Sequence, residues 1–523
     1  MNSKTRTENS IMNIFTGVGG YFLNVAIAFA CRMVFVRVLS ESYLGLNSLL
    51  SNIFSVLSII ELGVGNGIIY CLYKPVHDKD EKEMAALMEM ARKAYYFMGF
   101  FVAVSGLIVM LFLNKIIGDT GDISENIYLI YITHLISLVS GYFFNYKAFI
   151  LTAHQKVYAV SGLSYFISIL QSIVQIIMLL CFKSYWAYVV VIVCGTLLYN
   201  FLITVIVNKK YPYLRKYRKE KVTSISTKEL IDNFKGVAVY RFSDVCLNNT
   251  DSILITAYQG LNLTGVATNY SLFVTTMNSL LQQILNAIVP SVGNMNVEKS
   301  RDEQYDFFNS LFRINFWMYS WAAIGLAFVS TDLVRLLYGE AYAMDIKIPI
   351  VLALSFFIAG IQNPIIIYKN TRGIFNQGQY VLLFTAAINI VGDIILGRQF
   401  GIIGIFSATI IARLLTVSWY EPYVIFKRAF NRKPFEYYKK YLCSFLILII
   451  EGAIYYCLCA FIQFSPVVNV ILKAIICTVI PNSVLIFYRK DKDFLRIKAL
   501  IVKMLLSLKR KPNSKGLKKS VNS

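Results

Sequence analysis

Between Val237 and Tyr258 runs VAVYRFSDVCLNNTDSILITAY, long and apolar enough to cross a bilayer. It nevertheless carries Arg241, Asp244, Asn248, Asn249 and Asp251. Each full charge near a bilayer centre costs about 2.5–3.5 kcal/mol on the insertion scale. Residues about 3.6 apart share a helix face, so Arg241, Asp244, Asn248 and Asp251 fall within a narrow arc. Charged groups inside a membrane usually face a bundle interior or an aqueous path. The pattern therefore reads as the wall of a water-filled cavity. The structural alternative is a buried Arg241–Asp244 pair that locks two helices together.

Three further segments carry such stripes. Residues 265–291 hold Asn269, Thr276, Ser279, Gln283 and Asn286 on one face. Residues 43–72 hold Asn47, Ser51, Ser55, Ser58, Glu61 and Gly65, and residues 13–38 hold Asn24, Ala28 and Arg32. Arg413 lies near the middle of its own apolar run, too deep to snorkel cheaply. Arginine is always charged, planar and able to grip two oxygens at once, which suits phosphate. Arg32, Arg241, Arg413, Asn248, Gln283 and Asn286 are thus the substrate-binding candidates. A carboxylate in a low-dielectric cavity can exchange a proton or hold a sodium ion, which makes Glu61, Asp244, Asp251 and Asp393 the coupling-ion candidates.

The elements that must position these residues follow from composition. The 523 residues are 57% hydrophobic and only 15% charged, against about 25% charged in soluble domains, and mean hydropathy is +0.59. About fourteen apolar runs recur, at 13–38, 43–72, 94–113, 126–150, 157–181, 185–207, 233–257, 265–291, 312–337, 348–368, 379–397, 401–426, 441–463 and 466–488. The expectation is an all-α polytopic membrane protein of about 14 transmembrane helices. The first run reads as a retained helix, not a signal peptide.

Lys and Arg alternate between connections. One set of connections holds 40 of the 51, and the other, short set holds five. By the positive-inside rule the rich set and both termini are cytoplasmic. The net charge of +22 is mostly this topological signal, with basic segments at 209–221 and 509–520 that could also touch anionic headgroups. Nucleic-acid binding is not expected, because no recognition fold accompanies the basic runs. Lys147, Arg335 and Lys473 lie near helix ends and read as snorkelling.

The chain divides into an N-lobe (1–207, helices 1–6), a basic linker (208–232) and a C-lobe (233–428, helices 7–12). Helices 13–14 (429–488) and a basic tail (489–523) follow. The segment 44–59 resembles 264–279, each opening with a glycine after a short outer turn, which fits a duplicated six-helix unit.

Other motifs carry no chemistry. GVGNG (63–67) lacks a preceding strand, and there is no GxxxxGK[ST]. The DKD tracts at 78–80 and 491–493 are lysine-flanked and read as solvated charge. The nine cysteines sit mostly in apolar runs, and the three histidines are scattered. No metal, cofactor or catalytic residue is expected.

The stretches ESYLGLNSLLSNIFSVLSIIELGVGNGIIYCLYKP (41–75) and NTRGIFNQGQYVLLFTAAINIVGDIILGRQFGIIGIFSATIIARLLTVSWYEPYVIFKRAF (370–430) resemble the bacterial oligosaccharide and polysaccharide repeat-unit flippases. These belong to the multidrug/oligosaccharidyl-lipid/polysaccharide exporter (MOP) superfamily. The resemblance covers essentially the whole chain. It implies two six-helix lobes that rock between inward-open and outward-open states in the bacterial cytoplasmic membrane. They move an undecaprenyl-pyrophosphate-linked oligosaccharide from the inner to the outer leaflet, and the reading adds a coupling cation, H+ or Na+. It also implies that basic residues on helices one and seven, here Arg32 and Arg241, line the cavity. Alternatives are a peptidoglycan or teichoic precursor flippase and a cation-coupled multidrug exporter of the same fold. A membrane-embedded glycosyl polymerase would need a substantial loop outside the bilayer, and the outer connections are short.

Overall fold

The computed structural model describes residues 6–488 apart from 62–63, 119–121, 219, 221, 223–226, 373, 375–377, 460–461 and 463. Side chains are described for fewer of these, those of Arg241, Asp244 and Asn248 being among the exceptions. Every regular element in the described residues is helical. In chain order they are α1 (Arg6–Val38), α2 (Glu41–Leu57), α3 (Val64–Asp78), α4 (Glu81–Leu111), α5 (Leu113–Ile117), α6 (Ile127–Phe144), α7 (Ala148–Ala153), α8 (Val157–Phe182), α9 (Tyr185–Lys210) and α10 (Tyr213–Lys216). There follow α11 (Thr227–Glu298), α12 (Arg301–Phe328), α13 (Ser330–Tyr338), α14 (Lys347–Gly360), α15 (Asn363–Thr371), α16 (Gln379–Leu415), α17 (Val417–Ile425), α18 (Phe435–Cys459) and α19 (Pro466–Tyr488).

Local chemistry sets several helix starts. The Asp80 carboxylate accepts from the backbone N–H groups of Lys82 and Glu83 at 3.1 and 3.0 Å and so opens α4. The Asn126 side chain does the same for α6. Ser300 and Glu303 form a reciprocal capping box at α12. Such caps satisfy N–H groups that the first turn leaves without helical partners.

Among the described residues nine helical stretches are long and apolar enough to span a membrane. The count is ten if α12 and α13, bent by 51° at their junction, are taken as one span. The fourteen expected runs and the nine stretches differ for identifiable reasons. The runs 379–397 and 401–426 fall in one stretch, Tyr380–Phe430. The runs 233–257 and 265–291 both lie in α11 and carry the polar stripes. The final run meets the criterion only over the short Val467–Asn482.

Two long helices are hairpins. The hydroxyls of Thr385 and Thr416 lie 2.7 Å apart, yet 31 residues of straight helix would separate them by about 46 Å. The reversal is at Gly401, whose φ is +61°. Thr256 and Thr264 in α11 likewise meet at 2.9 Å, around Gly260 at φ +83°. Both turns use a left-handed conformation that only glycine adopts without strain.

One hydrophobic cluster gathers the N-terminal helices around Leu46, Leu49, Leu87 and Tyr131. A second gathers the C-terminal helices around Phe308, Tyr319, Tyr368 and Phe426. Outward faces are apolar, with Phe97, Phe100 and Leu111 on α4 largely exposed, as a lipid-facing helix requires. Three basic residues, one from the Lys- and Arg-rich connections and two read above as snorkelling, are instead paired, among them Arg335, which bonds Glu340 at 3.1 Å. Lys369 is buried and bonds Glu421 at 2.6 Å, joining α15 to α17. The Lys473 ammonium bonds the Asp332 carboxylate, joining α19 to α13.

Candidate functional site

Two polar cavities and one polar cluster collect most of the described candidate residues. The first cavity, of roughly 220 Å³, lies between α1, α2, α8, α9 and the second half of α11. Asn24, Arg32, Asn47, Gln175, Tyr188 and Thr276 are among its lining. The Arg32 Nε donates to the Asn269 Oδ1 at 2.8 Å. Its Nη2 is buried without a hydrogen-bond partner, as are Gln175 Nε2, Asn269 Nδ2 and Asn24 Oδ1. An unsatisfied buried polar group costs about 1–3 kcal/mol, so the three nitrogen donors are set to receive a polar or anionic ligand and the Asn24 oxygen to accept from one. The phenols of Tyr188, Tyr338 and Tyr342 surround the guanidinium. Among the described residues no carboxylate pairs with it.

Beyond Arg32 the helices are in close contact. A Cβ on Gly45 would stand 1.9 Å from the Leu261 carbonyl oxygen, and one on Gly265 would stand 2.3 Å from that of Glu41. Here α2 meets α11 backbone to backbone, through the two glycines that open the similar segments 44–59 and 264–279. Ser42 bonds Asn262 at 2.5 Å, and the Tyr342 hydroxyl donates to the Val36 carbonyl at 3.3 Å.

The second cavity is larger, about 810 Å³, and more open. Ser51, Ser55, Ser58, Glu61 and Gly65 all line it, so the stripe predicted along residues 43–72 is a real polar wall. Asn47 at its head reaches the first cavity. Glu61 ends a 3-10 turn after α2 and accepts a 2.8 Å bond from the Tyr95 hydroxyl. His134, Asn145 and Thr196 complete the opposite wall, with Asn249 from α11.

The third group lies where α11 packs on α16. The Asn389 amide donates to the Asp393 carboxylate at 2.5 Å, and both residues are fully buried. Asp251 faces Asp393 and Arg413 electrostatically. One oxygen each of Asp251, Asn389 and Asp393 is buried without a donor. Two carboxylates that bear on each other, with the Arg413 guanidinium bearing on one of them, are the chemistry of a shared proton or an exchangeable cation.

Of the ten candidates, Arg32 and Glu61 line the two cavities, while Asp251, Asp393 and Arg413 meet in the cluster. Neither cavity includes Arg413. Gln283 is partly buried and Asn286 exposed on α11. The neighbouring Gln282 bonds Asn363 at 2.8 Å. The side chains of Arg241, Asp244 and Asn248 lie outside the described residues. Sequence reasoning missed Tyr95, His134, Asn145, Tyr188 and Thr196. A signal was present along α6 and just past its end, where His134, Ser137, Gly141 and Asn145 recur at helical spacing, whereas Tyr95, Tyr188 and Thr196 each enter a lining singly from their helix.

The polysaccharide biosynthesis protein family matches residues 34–347. No curated protein matches the chain in sequence. A structure of the lipid II flippase MurJ in an inward closed conformation superposes with a TM-score of 0.60 at 17% identity. It covers 92% of this chain and 99% of its own. An inward-facing multidrug resistance MATE family transporter of the MOP superfamily gives a TM-score of 0.57 at 14% identity, covering 79% and 95%. The fold is therefore that of the MOP superfamily.

Proposed function

The chain belongs to the polysaccharide biosynthesis protein family, and on that premise we propose that it flips a polyprenyl-pyrophosphate-linked oligosaccharide across the bacterial cytoplasmic membrane by cation-coupled alternating access. The observation that carries this reading is Arg32, a guanidinium without a carboxylate partner, facing a polar cavity inside a membrane protein. A pyrophosphate supplies the missing counter-charge and accepts from several N–H groups together. The hydroxyl-rich wall from Ser51 to Ser58 replaces water around the sugars, whose polar groups cannot enter hydrocarbon unpaired. In this reading the larger cavity, which Gly65, Asn145 and Phe149 line near basic connections, takes substrate from the cytoplasmic side, and the contact at Gly45 and Gly265 closes the other end. This is the loading state.

The cation acts at Asp251, Asn389 and Asp393. Helix α11 carries Asp251 before its Gly260 turn and Asn269 after it, so one element joins the cation site to the Arg32 contact. A cation that binds one packing of α11 on α16 more tightly shifts the population toward that state. In this reading the N-lobe, linker, C-lobe, last two helices and tail keep the boundaries given above, with both termini cytoplasmic. Arg241, Asn248, Gln283 and Asn286 line the path, and Asp244 and Glu61 are further proton or cation carriers.

The test is depletion of the protein in its host, with mass spectrometry of the polyprenyl-linked lipids. One pyrophosphate-linked oligosaccharide should accumulate while the matching surface polymer disappears. Accumulation of the peptidoglycan precursor instead would reassign the substrate. No accumulation, with new sensitivity to cationic compounds, would overturn the reading in favour of drug export.

A further inference from the structure

We propose that the outer face of α4 and α6 holds one anionic glycerophospholipid, its acyl chain in an apolar groove and its phosphate on a cluster of cations at the groove's mouth. The groove has a volume of about 590 Å³. Tyr96, Ala103 and Leu107 of α4 and Ile136, Val139 and Phe143 of α6 form its walls. From Tyr96 to Leu107 the helix rises about 16 Å, close to half of an approximately 30 Å hydrocarbon core. The groove thus has the height of one leaflet.

The cations lie at one end of it. The Arg92 guanidinium sits 5.2 Å from the centre of the Tyr96 ring, and the Lys147 ammonium sits 5.8 Å from that of Phe144, the groove's neighbouring wall residue. Lys147 is held there by a 3.2 Å bond to the Thr204 hydroxyl on α9. Arg215, on α10, bears electrostatically on Lys147. Arg218 reaches the same group through Glu89, which also binds Arg92. Of these four cations Arg92 and Arg218 share one carboxylate, Glu89, and among the described residues Lys147 and Arg215 form no ion pair. An apolar slot of leaflet height with excess positive charge at its headgroup end complements a phospholipid of net negative charge. A zwitterionic lipid fits the slot but not the charge. The groove and the larger cavity are lined by different residues of α4 and α6, so the proposal does not rest on the substrate assigned above.

The experiment titrates the full-length protein in detergent with palmitoyl-oleoyl phosphatidylglycerol or the matching phosphatidylcholine, counting bound lipid by native mass spectrometry. One phosphatidylglycerol should be retained in preference to phosphatidylcholine. Lys147→Gln should cut that preference about fivefold, the value of one basic residue near an anionic lipid. Ala103→Phe fills the groove without touching a charge and should weaken both lipids, with the melting temperature reporting that the variant is folded. Equal retention of the two lipids by the wild type would overturn the proposal, as would an unchanged preference in Lys147→Gln. Displacement of phosphatidylglycerol by glycerol phosphate at equal concentration would show an anion site without an acyl chain and would also overturn it. Stronger retention of decaprenyl phosphate than of phosphatidylglycerol would do the same, by assigning the groove to a carrier lipid.

Discussion

Arg32 and Asn269 stand 237 positions apart, yet the guanidinium Nε of one lies 2.8 Å from the amide oxygen of the other. This bond ties α1 to α11 about one helical turn beyond Gly265. Cys31 beside it is buried and donates to the Gln175 side chain at 3.7 Å. The same guanidinium is thus a contact between two helices, here proposed as part of a gate, and the proposed anion receiver.

Loss of the bond should loosen the gate. A hydrogen bond to a charged group contributes about 1.5–3 kcal/mol, so Asn269→Ala should raise the open population about tenfold or more. The readout is labelling of Cys31 by an impermeant maleimide added from the outside, with Cys31→Ser as the blank. Unchanged labelling would show that the bond does not hold the gate.

Backbone contact makes the opposite test. Gly45→Val places carbon where the Leu261 carbonyl now lies, so α2 and α11 cannot close. The variant should insert normally but transport at a small fraction of the wild-type rate, with its outer end open to the same maleimide. Wild-type transport would mean that the glycine contact is not part of the cycle.

The cation cluster makes a prediction about driving force. Asp251→Asn and Asp393→Asn each remove a charge from the group around Asn389. Each should lower cation-driven flipping in proteoliposomes by about tenfold or more and flatten its dependence on the ion gradient. Cation dependence that survives in both variants would move coupling to Glu61 or Asp244.

A stability prediction concerns Lys369 and Glu421, whose side chains are each only 7% exposed. Glu421→Gln leaves a buried ammonium without its carboxylate and should cost about 3–5 kcal/mol. Replacing both, Lys369→Met with Glu421→Leu, should recover most of the loss. Thermal unfolding of the purified variants in one detergent checks both.

Outside the spans, Lys156 is drawn down from the ordinary lysine value of 10.5 to about 8 by burial and by Lys210 beside it. Its neighbours are His154, stacked on Tyr211, and the Tyr211 hydroxyl at 3.4 Å. For a base held below its unfolded value, the fold gains stability as pH rises from about 8 toward 10.5. Near pH 8 about half of the Lys156 amine is neutral, so it should acylate faster than the exposed Lys216. Peptide mapping across pH 7–10 by mass spectrometry tests this, and a Lys156 profile that follows Lys216 would refute it.

Helix existence and facing were legible because both follow from local patterns. Apolar runs set the spans, and the 3.6-residue period put Ser51, Ser55, Ser58, Glu61 and Gly65 on one wall. Glycine after the outer turns marked Gly45 and Gly265 as a repeated feature. Depth alone singled out Arg413 and Asp393 as residues needing protein or water around them. A residue that its helix contributes singly, such as Tyr95, left no periodic trace, whereas His134, Ser137, Gly141 and Asn145 form a weaker stripe of their own.

What the sequence by itself determined is therefore which faces are polar and where charge is too deep for lipid. Only the tertiary structure decided who meets whom. Asp251 meets Asp393 across 142 positions, Lys369 meets Glu421 instead of water, and Lys473 meets Asp332 instead of snorkelling. A period fixes the direction of a side chain from its own axis at the cost of one local conformation. The identity of the facing helix depends on the sum of many weak contacts along two whole helices, such as the approach of α2 to α11 that Gly45 and Gly265 permit. No single position in the chain records that sum.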